Sequence, residues 1–302
     1  MNNKVLVCLL AVVGAFAATE ATAAPVPGVE HIVVVGIDGM TASSVNRAKT
    51  PNMHDVMARG AYTLHGRSVD PSVSSPNWAS IIMGSKPETH GITSNDWKPS
   101  DTSAVPTIFG LCHTAQPAAD IAVVYEWLGF GRLFPKNDIT FYASPLSRIW
   151  GQYIKDQSNA HAATQVAAAR IREKKPLLTF IHLDLVDHAG HSEGYDTAKY
   201  DLEVGVADSH LGQIMQAIRD VGMEGTTVLF VVADHGGTGT GHGGKTDEEM
   251  TVPWMVAGPG IAQGREITEA VGVAQTAPTI AMLFGLTPPE KWTEKAVNQV
   301  LN

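Results

Sequence analysis

The chain has 302 residues, 44% of them apolar and 17% charged, a balance that suits a folded globular domain and excludes a disordered one. Lys and Arg total 21 against 30 Asp and Glu, so the net charge is −9 and the composition offers no basic footprint for nucleic acid or anionic lipid. Two cysteines, Cys8 and Cys112, exclude a disulfide framework, and twelve histidines are the one compositional oddity.

Residues 1–23 read as a secretory signal. Lys4 supplies the positive start, residues 5–18 form an uncharged apolar run, and Ala21-Thr22-Ala23 gives a small-residue cleavage site. The run is too short to span a bilayer comfortably. The expected mature chain, residues 24–302, is a single domain exported to the periplasm or beyond, with no stable membrane anchor. It keeps one thiol, Cys112, read as a small buried hydrophobe. A buried strand is expected at His31–Ile37, ending at Asp38-Gly39. A helix follows at Pro51–Arg59, with Pro51 in its first turn and Gly60 past its end. Residues 77–83 read as a short helix, 120–125 as a strand and 159–174 as an Ala-rich helix. Next come a strand at 177–185, a long helix at 198–221 closed by Gly222, and a strand at 226–233 ending at Asp234-His235. A strand at Thr251–Ala257 and a helix at 274–284 complete the order. Apolar strands interleaved with helices imply an α/β fold whose largely parallel sheet is covered on both faces. Asp38, Asp187, Asp234 and His235 collect just after strand ends, where open α/β sheets bind ligands.

Asp187 and His191 are four apart, so one helical turn aims both at one point. Alone, that pair equally fits a solvated helix face. Asp234-His235-Gly236-Gly237 is more telling, because it follows the apolar run Val228 to Val232. A charge and an imidazole at the mouth of a buried strand need a partner, and the glycines admit close backbone approach. Asp38-Gly39 repeats the pattern, and His242 follows soon after in Gly241-His242-Gly243-Gly244. Three carboxylates and three imidazoles suffice for two metal sites with open positions, the arrangement of catalytic rather than structural zinc. Ser74 and Ser75 precede Pro76 and a helical pattern. A Ser there is a cap, or a nucleophile whose anion the helix amides stabilise; the local pattern leaves both readings and both serines open.

Six motifs occur in order: Asp38-Gly39, Thr50-Pro51-Asn52, Ser74-Ser75-Pro76-Asn77, Gly84 with Pro87-Glu88-Thr89-His90-Gly91-Ile92, residues 187–194, and Asp234-His235-Gly236. Together they resemble the alkaline phosphatase superfamily, most closely its type I phosphodiesterase/nucleotide pyrophosphatase branch, over about residues 31–260. The resemblance implies a three-layer αβα sandwich and two divalent metal ions, zinc by donor type. One ion would be held by Asp38, Asp234, His235 and the nucleophile, the other by Asp187, His191 and His242. The branch places its nucleophile two residues before the Pro, which selects Ser74 and implies a phosphoserine intermediate. Asn95 and the Ser75 backbone N–H would contact phosphoryl oxygens. His90 and His188 are not ligand positions in the family. The chain departs from the branch in two places: Ser74 stands where Thr is usual, and His242 comes much earlier than the last His ligand usually does. Asn77 after Pro76 lacks the Arg of the sulfatase signature. Residues 125–129 lack the Lys-x-Arg phosphate clamp of some monoesterases and offer Trp127-x-Gly129 instead. Trp127 or Trp97 would then face a second ester group. The expected function is hydrolysis of small phosphodiesters, with nucleic acid disfavoured by charge. The alternative is a phosphomonoesterase or phosphonate hydrolase, which a contact from Arg132, Lys136 or Arg148 would favour. A non-catalytic metal-binding protein would need neither Ser74 nor Asn95.

Overall fold

The computed structural model describes residues 24–98, 105–134, 142–145 and 162–302. The signal reading at 1–23, Lys136, Arg148 and the first residues of the helix expected from 159 lie outside them.

Eight strands form one sheet: β1 His31–Ile37, β2 Gly60–Arg67, β3 Ile121–Tyr125, β4 Tyr142–Pro145, β5 Leu178–Leu183, β6 Thr227–Val232, β7 Thr251–Ala257 and β8 Arg265–Glu266. Their order is β4-β3-β5-β1-β6-β7-β2-β8. The five strands from β4 to β6 pair in parallel, while β7 is antiparallel to both β6 and β2. Parallel neighbours need a crossover, usually a helix. Between β6 and β7 the only helix is the short Asp247–Met250, and the chain comes back antiparallel.

The helices are α1 Ser44–Arg47, α2 Pro51–Arg59, α3 Ser74–Met83, α4 Pro87–His90, α5 Ile108–Ala115, α6 Leu128–Gly131, α7 Ala162–Lys174, α8 Leu185–Glu193, α9 Ala198–Asp220, α10 Asp247–Met250 and α11 Thr276–Leu283. They pack in two groups. The long α9 meets α1, α2, α7 and α8, while α3 meets α4, α5, α6 and α11. Between them lies a sheet whose β3, β5 and β6 strands are buried at every position. This is the αβα sandwich the sequence implied.

Two boundaries differ from expectation in ways that shape the site. The strand expected to reach Leu185 ends at Leu183, and α8 begins at Leu185, so Asp187 sits in its first turn. Helix α3 begins at Ser74 rather than Asn77, because Pro76 is tolerated in a first turn whose N–H groups have no intrahelical partner. β2, its neighbour β8 and helix α5 have no counterpart among the expected elements. Gly36 in β1 lets α3 approach the sheet: a Cβ there would stand 2.6 Å from the Trp78 ring.

Candidate active site

The chain leaves β1, β5 and β6 at one edge of the sheet and sets down Asp38, Asp184 and Asp234 immediately beyond the last strand residues. Gly39 makes the turn after Asp38 with φ 65, and a Cβ there would collide with Asp187. Its backbone N–H donates to Asp234 Oδ1 at 3.0 Å. Helix α3 presents Ser74 as its first residue, buried, with Oγ 3.3 Å from His235 Nε2.

Two groups of donors result. In the first, Asp38, Asp234 and His235 are each at most 1% exposed. Asp38 Oδ2 accepts from Trp78 Nε1 at 2.8 Å and lies 3.0 Å from His182 Nε2. Its Oδ1 has no hydrogen-bond partner and lies 3.4 Å from His235 Nε2. Asp234 repeats the division: Oδ1 takes the Gly39 amide, while Oδ2 is unpartnered and 3.3 Å from the same His235 nitrogen. Buried carboxylate oxygens without partners are costly, and both converge beside Ser74.

In the second group, Asp187 Oδ1 accepts from the Tyr195 hydroxyl at 2.5 Å and Oδ2 lies 3.3 Å from His191 Nε2. His191 Nδ1 faces Thr240 O at 2.9 Å, and His242 Nδ1 faces Ser72 O at 2.8 Å. His235 Nδ1 likewise faces its neighbour's carbonyl, Gly236 O, at 2.8 Å. A carbonyl can only accept, so all three imidazoles keep Nδ1 protonated and can turn an Nε2 lone pair inward, the orientation that outer-shell partners impose on metal-ligating histidines. The Nε2 atoms of His191 and His242 stand 3.1 Å apart. Asp187, His235 and His242 also bring ligand atoms within 4.8 Å of one another, so His235 lies between the two groups, its ring stacked on His242 with centroids 3.7 Å apart.

Charge in this cluster is divided accordingly. Burial opposes ionisation of Asp38, but His182 and His235 outweigh it and hold the carboxyl far below its usual range. Burial, reinforced by Asp38, raises Asp234 well above its usual range. Burial pulls His235 down, yet Asp234, Asp38 and Asp187 overcome it and raise the imidazole to about 10. The hydrogen bond to Asp187 raises His191 to about 9. Protons on imidazoles therefore balance carboxylates that a divalent cation would otherwise neutralise. The unpartnered Asp38 Oδ1 and Asp234 Oδ2, together with the facing Nε2 atoms, fit hard-to-borderline cations held by mixed oxygen and nitrogen donors.

Every ligand residue expected from the sequence stands in one of these two groups. Asn95 is brought to the start of α3 beside Ser74 as well: its Oδ1 accepts from the Ser75 backbone N–H at 2.8 Å. That amide, expected to serve a phosphoryl oxygen, is thus engaged in aiming Asn95, whose amide NH₂ is left to donate. Trp127 lies face-on to His182, with centroids 6.4 Å apart. Trp97 is 7% exposed and packs in the core. Arg132 Nη2 donates to Asn95 O at 3.1 Å.

Several supporting residues were not read from the sequence. His182 sits in β5, Leu178–Leu183, which is buried at every position, and a buried imidazole there needed a partner. Asp184 joins Asp38 and His182 in a third close group, and its backbone N–H donates to Glu126 at 2.8 Å. Burial raises Asp184 to about 8, with Asp38 adding to the effect, and raises Glu126 to about 7. Tyr195, wholly buried, had no sequence signal beyond its position in the 187–194 neighbourhood.

Known proteins are similar to this chain in sequence and in fold. The ectonucleotide pyrophosphatase/phosphodiesterase 1 of Saccharomyces cerevisiae is 23% identical over 254 residues, covering 68% of this chain and 33% of the relative. The chain thus spans about a third of that relative's length. Among solved structures, murine ectonucleotide pyrophosphatase / phosphodiesterase 5, an inactive variant in complex with AMP, matches with a TM-score of 0.73 at 14% identity, covering 90% of this chain and 100% of that one. A mutant of alkaline phosphatase PafA matches with a TM-score of 0.72 at 12% identity, covering 93% and 100%. The family described as "Type I phosphodiesterase / nucleotide pyrophosphatase" matches residues 32–110 and 122–251. The chain therefore belongs to the type I phosphodiesterase/nucleotide pyrophosphatase family, on an alkaline phosphatase-like fold.

Proposed function

We propose that the protein is an exported hydrolase of small phosphodiesters that works with two divalent cations, zinc by donor type, through a phosphoserine intermediate at Ser74. The observation that carries this reading is the convergence of Ser74 Oγ, His235 Nε2 and the two unpartnered oxygens of Asp38 and Asp234 on one buried point. Asp38, Asp234 and His235 would hold one cation beside Ser74, and Asp187, His191 and His242 the other. When bound, such cations supply Lewis acidity, neutralising charge on the nucleophile and on the phosphoryl oxygens.

Ser74 attacks phosphorus, forming the phosphoserine bond as the bond to the leaving alcohol breaks, and the serine proton leaves with that alcohol. Water then cleaves the phosphoserine, giving a phosphate monoester and regenerating the hydroxyl. The start of α3 favours the negative charge that develops at Ser74. Asn95, aimed by the Ser75 amide, donates to a phosphoryl oxygen. A diester carries one charge, and this cradle without a Lys-x-Arg clamp suits it. Trp127 gives the second ester group an aromatic wall, and the relative solved with AMP supports a small nucleotide ester.

A second reading, a monoesterase or phosphonate hydrolase, draws on Arg132, whose guanidinium reaches the Asn95 backbone. That bond ties the guanidinium to the loop, which favours the diester reading. The comparison of kcat/KM for bis- and mono-p-nitrophenyl phosphate on metal-reconstituted protein decides between them. The diester is expected to be the better substrate, and a clear preference for the monoester overturns the diesterase assignment.

A further inference from the structure

We propose that His90 is a positioning residue, a neutral imidazole clasp that sets the Asn95 loop against the nucleophile helix. His90 closes α4, six residues after Gly84 ends α3 and five before Asn95. It is 2% exposed, and Ser80 and Ile92 on either side of it are fully buried. The Ile92 backbone N–H donates to His90 Nδ1 at 3.1 Å. A backbone N–H can only donate, so Nδ1 carries no proton and Nε2 carries one. Nε2 therefore donates to Ser80 Oγ at 3.0 Å, and Ser80 passes its own proton to Pro76 O at 2.8 Å. The result is a directed chain from the Ile92 amide through the imidazole to the first turn of α3.

That chain joins the two pieces that must meet at the phosphoryl group. Its α3 end lies two residues after Ser74, and its loop end lies three residues before Asn95. On the far side the same pieces touch again, where the Ser75 amide donates to Asn95 Oδ1. The loop is thus pinned at Ile92 and at Asn95, with Arg132 on the Asn95 carbonyl as a third hold. Gly91, with φ 76, makes the turn from His90 to Ile92 that lets the amide fold back on the ring. A loop pinned at one end only would leave the Asn95 amide free to swing, and displacement of a group aimed at a reacting phosphoryl by about 1 Å costs up to ~100-fold in rate. Burial keeps the imidazole neutral, pushing it down to about 4, which agrees with the proton pattern.

The activity part of the test rests on the phosphoryl-transfer reading above; the exchange part does not. His90→Phe keeps a buried ring and removes both hydrogen bonds. In the full metal-loaded chain it is expected to lower kcat on bis-p-nitrophenyl phosphate about tenfold, with KM within about twofold and metal content unchanged. His90→Asn, whose side-chain oxygen can accept from Ile92 N–H, should recover part of the loss. In an Asn95→Ala background His90→Phe should cost less than about twofold more, because the clasp acts through Asn95. Full additivity in that background, or an unchanged kcat in the single variant, overturns the proposal. Amide hydrogen exchange supplies the independent arm: residues 91–97 should exchange faster in His90→Phe while 74–83 stay protected. If wild-type protein hydrolyses no phosphate ester, the functional reading fails and this arm alone decides. Exchange unchanged, or raised across the whole domain, counts against the clasp. Should His90→Phe not fold, Ser80→Ala breaks the same chain from the helix side and takes the same outcomes.

Discussion

His242 is the residue on which the proposed second cation site turns, because it follows Asp234-His235 so closely in the chain. Its Nδ1 is fixed by Ser72 O and its Nε2 faces His191 at 3.1 Å. His242→Ala should lower metal content from about two ions per chain toward one and reduce turnover with it, measured by elemental analysis of the dialysed protein. His188→Ala should leave metal content unchanged; equal loss from both changes would misplace the ligand. His90 gives a pH prediction. Burial lowers it from 6.5 to about 4, so between those values the unfolded chain binds a proton that the folded chain refuses. Its contribution to stability is complete above pH 6.5 and is lost as pH falls to about 4. Urea unfolding from pH 7 to 4 should show a flatter decline for His90→Asn than for wild type. Asp38, Asp234 and His235 were legible because each puts charge at the end of an apolar strand, whereas Asp187 and His191 were legible by their four-residue spacing and His242 by its glycine loop and the resemblance. His182 and Asp184 were harder: their partners, Asp38 and Glu126, are far away in the chain, and only the sheet brings them together.

Helix α3 is the element on which the site depends, and it starts at Ser74, one turn before the Asn77 expected from the sequence. Pro76 looks like a helix start, but the two serines before it already belong to the helix, which sets Ser74 on the first N–H groups. The strand register that accepts α3 comes from Gly36, whose missing side chain leaves room for Trp78, and Trp78 in turn donates to Asp38. Gly36→Ala should therefore destabilise the fold by about 1–3 kcal/mol through overpacking and weaken metal affinity at the Asp38 group. Trp78→Phe removes the N–H together with one ring of the buried indole, so it should lower metal affinity at the Asp38 group and also cost stability through the cavity left. Chelator competition reads the first effect and thermal unfolding the second; a Gly36→Ala protein with wild-type Tm would show that the helix yields freely. β2 escaped notice because its two glycines and half-buried residues interrupt the alternation that marks a strand, and only pairing with β7 and β8 holds it extended.

At the scale of the whole molecule, one continuous sheet gathers residues from positions 38 to 242 at a single edge, and the order of strands was beyond the reach of the sequence. The alternation of apolar strands and helices gave the layers; it could not give the antiparallel return of β7, which depends on the short link after β6. The chain carries a net charge of −9, so long polyanions should bind weakly compared with a small ester. Among the described residues no helix is long and apolar enough to cross a membrane. Duplex DNA at low salt should show no tight complex by fluorescence anisotropy; salt-sensitive affinity in the micromolar range would contradict the charge argument. The central claim is that Ser74, whose Oγ lies 3.3 Å from the His235 Nε2 that also faces Asp38 and Asp234, is the nucleophile of a metal-loaded phosphodiesterase. Its most direct test is p-nitrophenol release from bis-p-nitrophenyl phosphate by wild-type and Ser74→Ala protein, with metal content measured in the same samples. The account predicts turnover by wild type, loss of at least about a thousandfold in Ser74→Ala, and about two ions per chain in both. Turnover by Ser74→Ala close to that of wild type, at equal metal content, would contradict it.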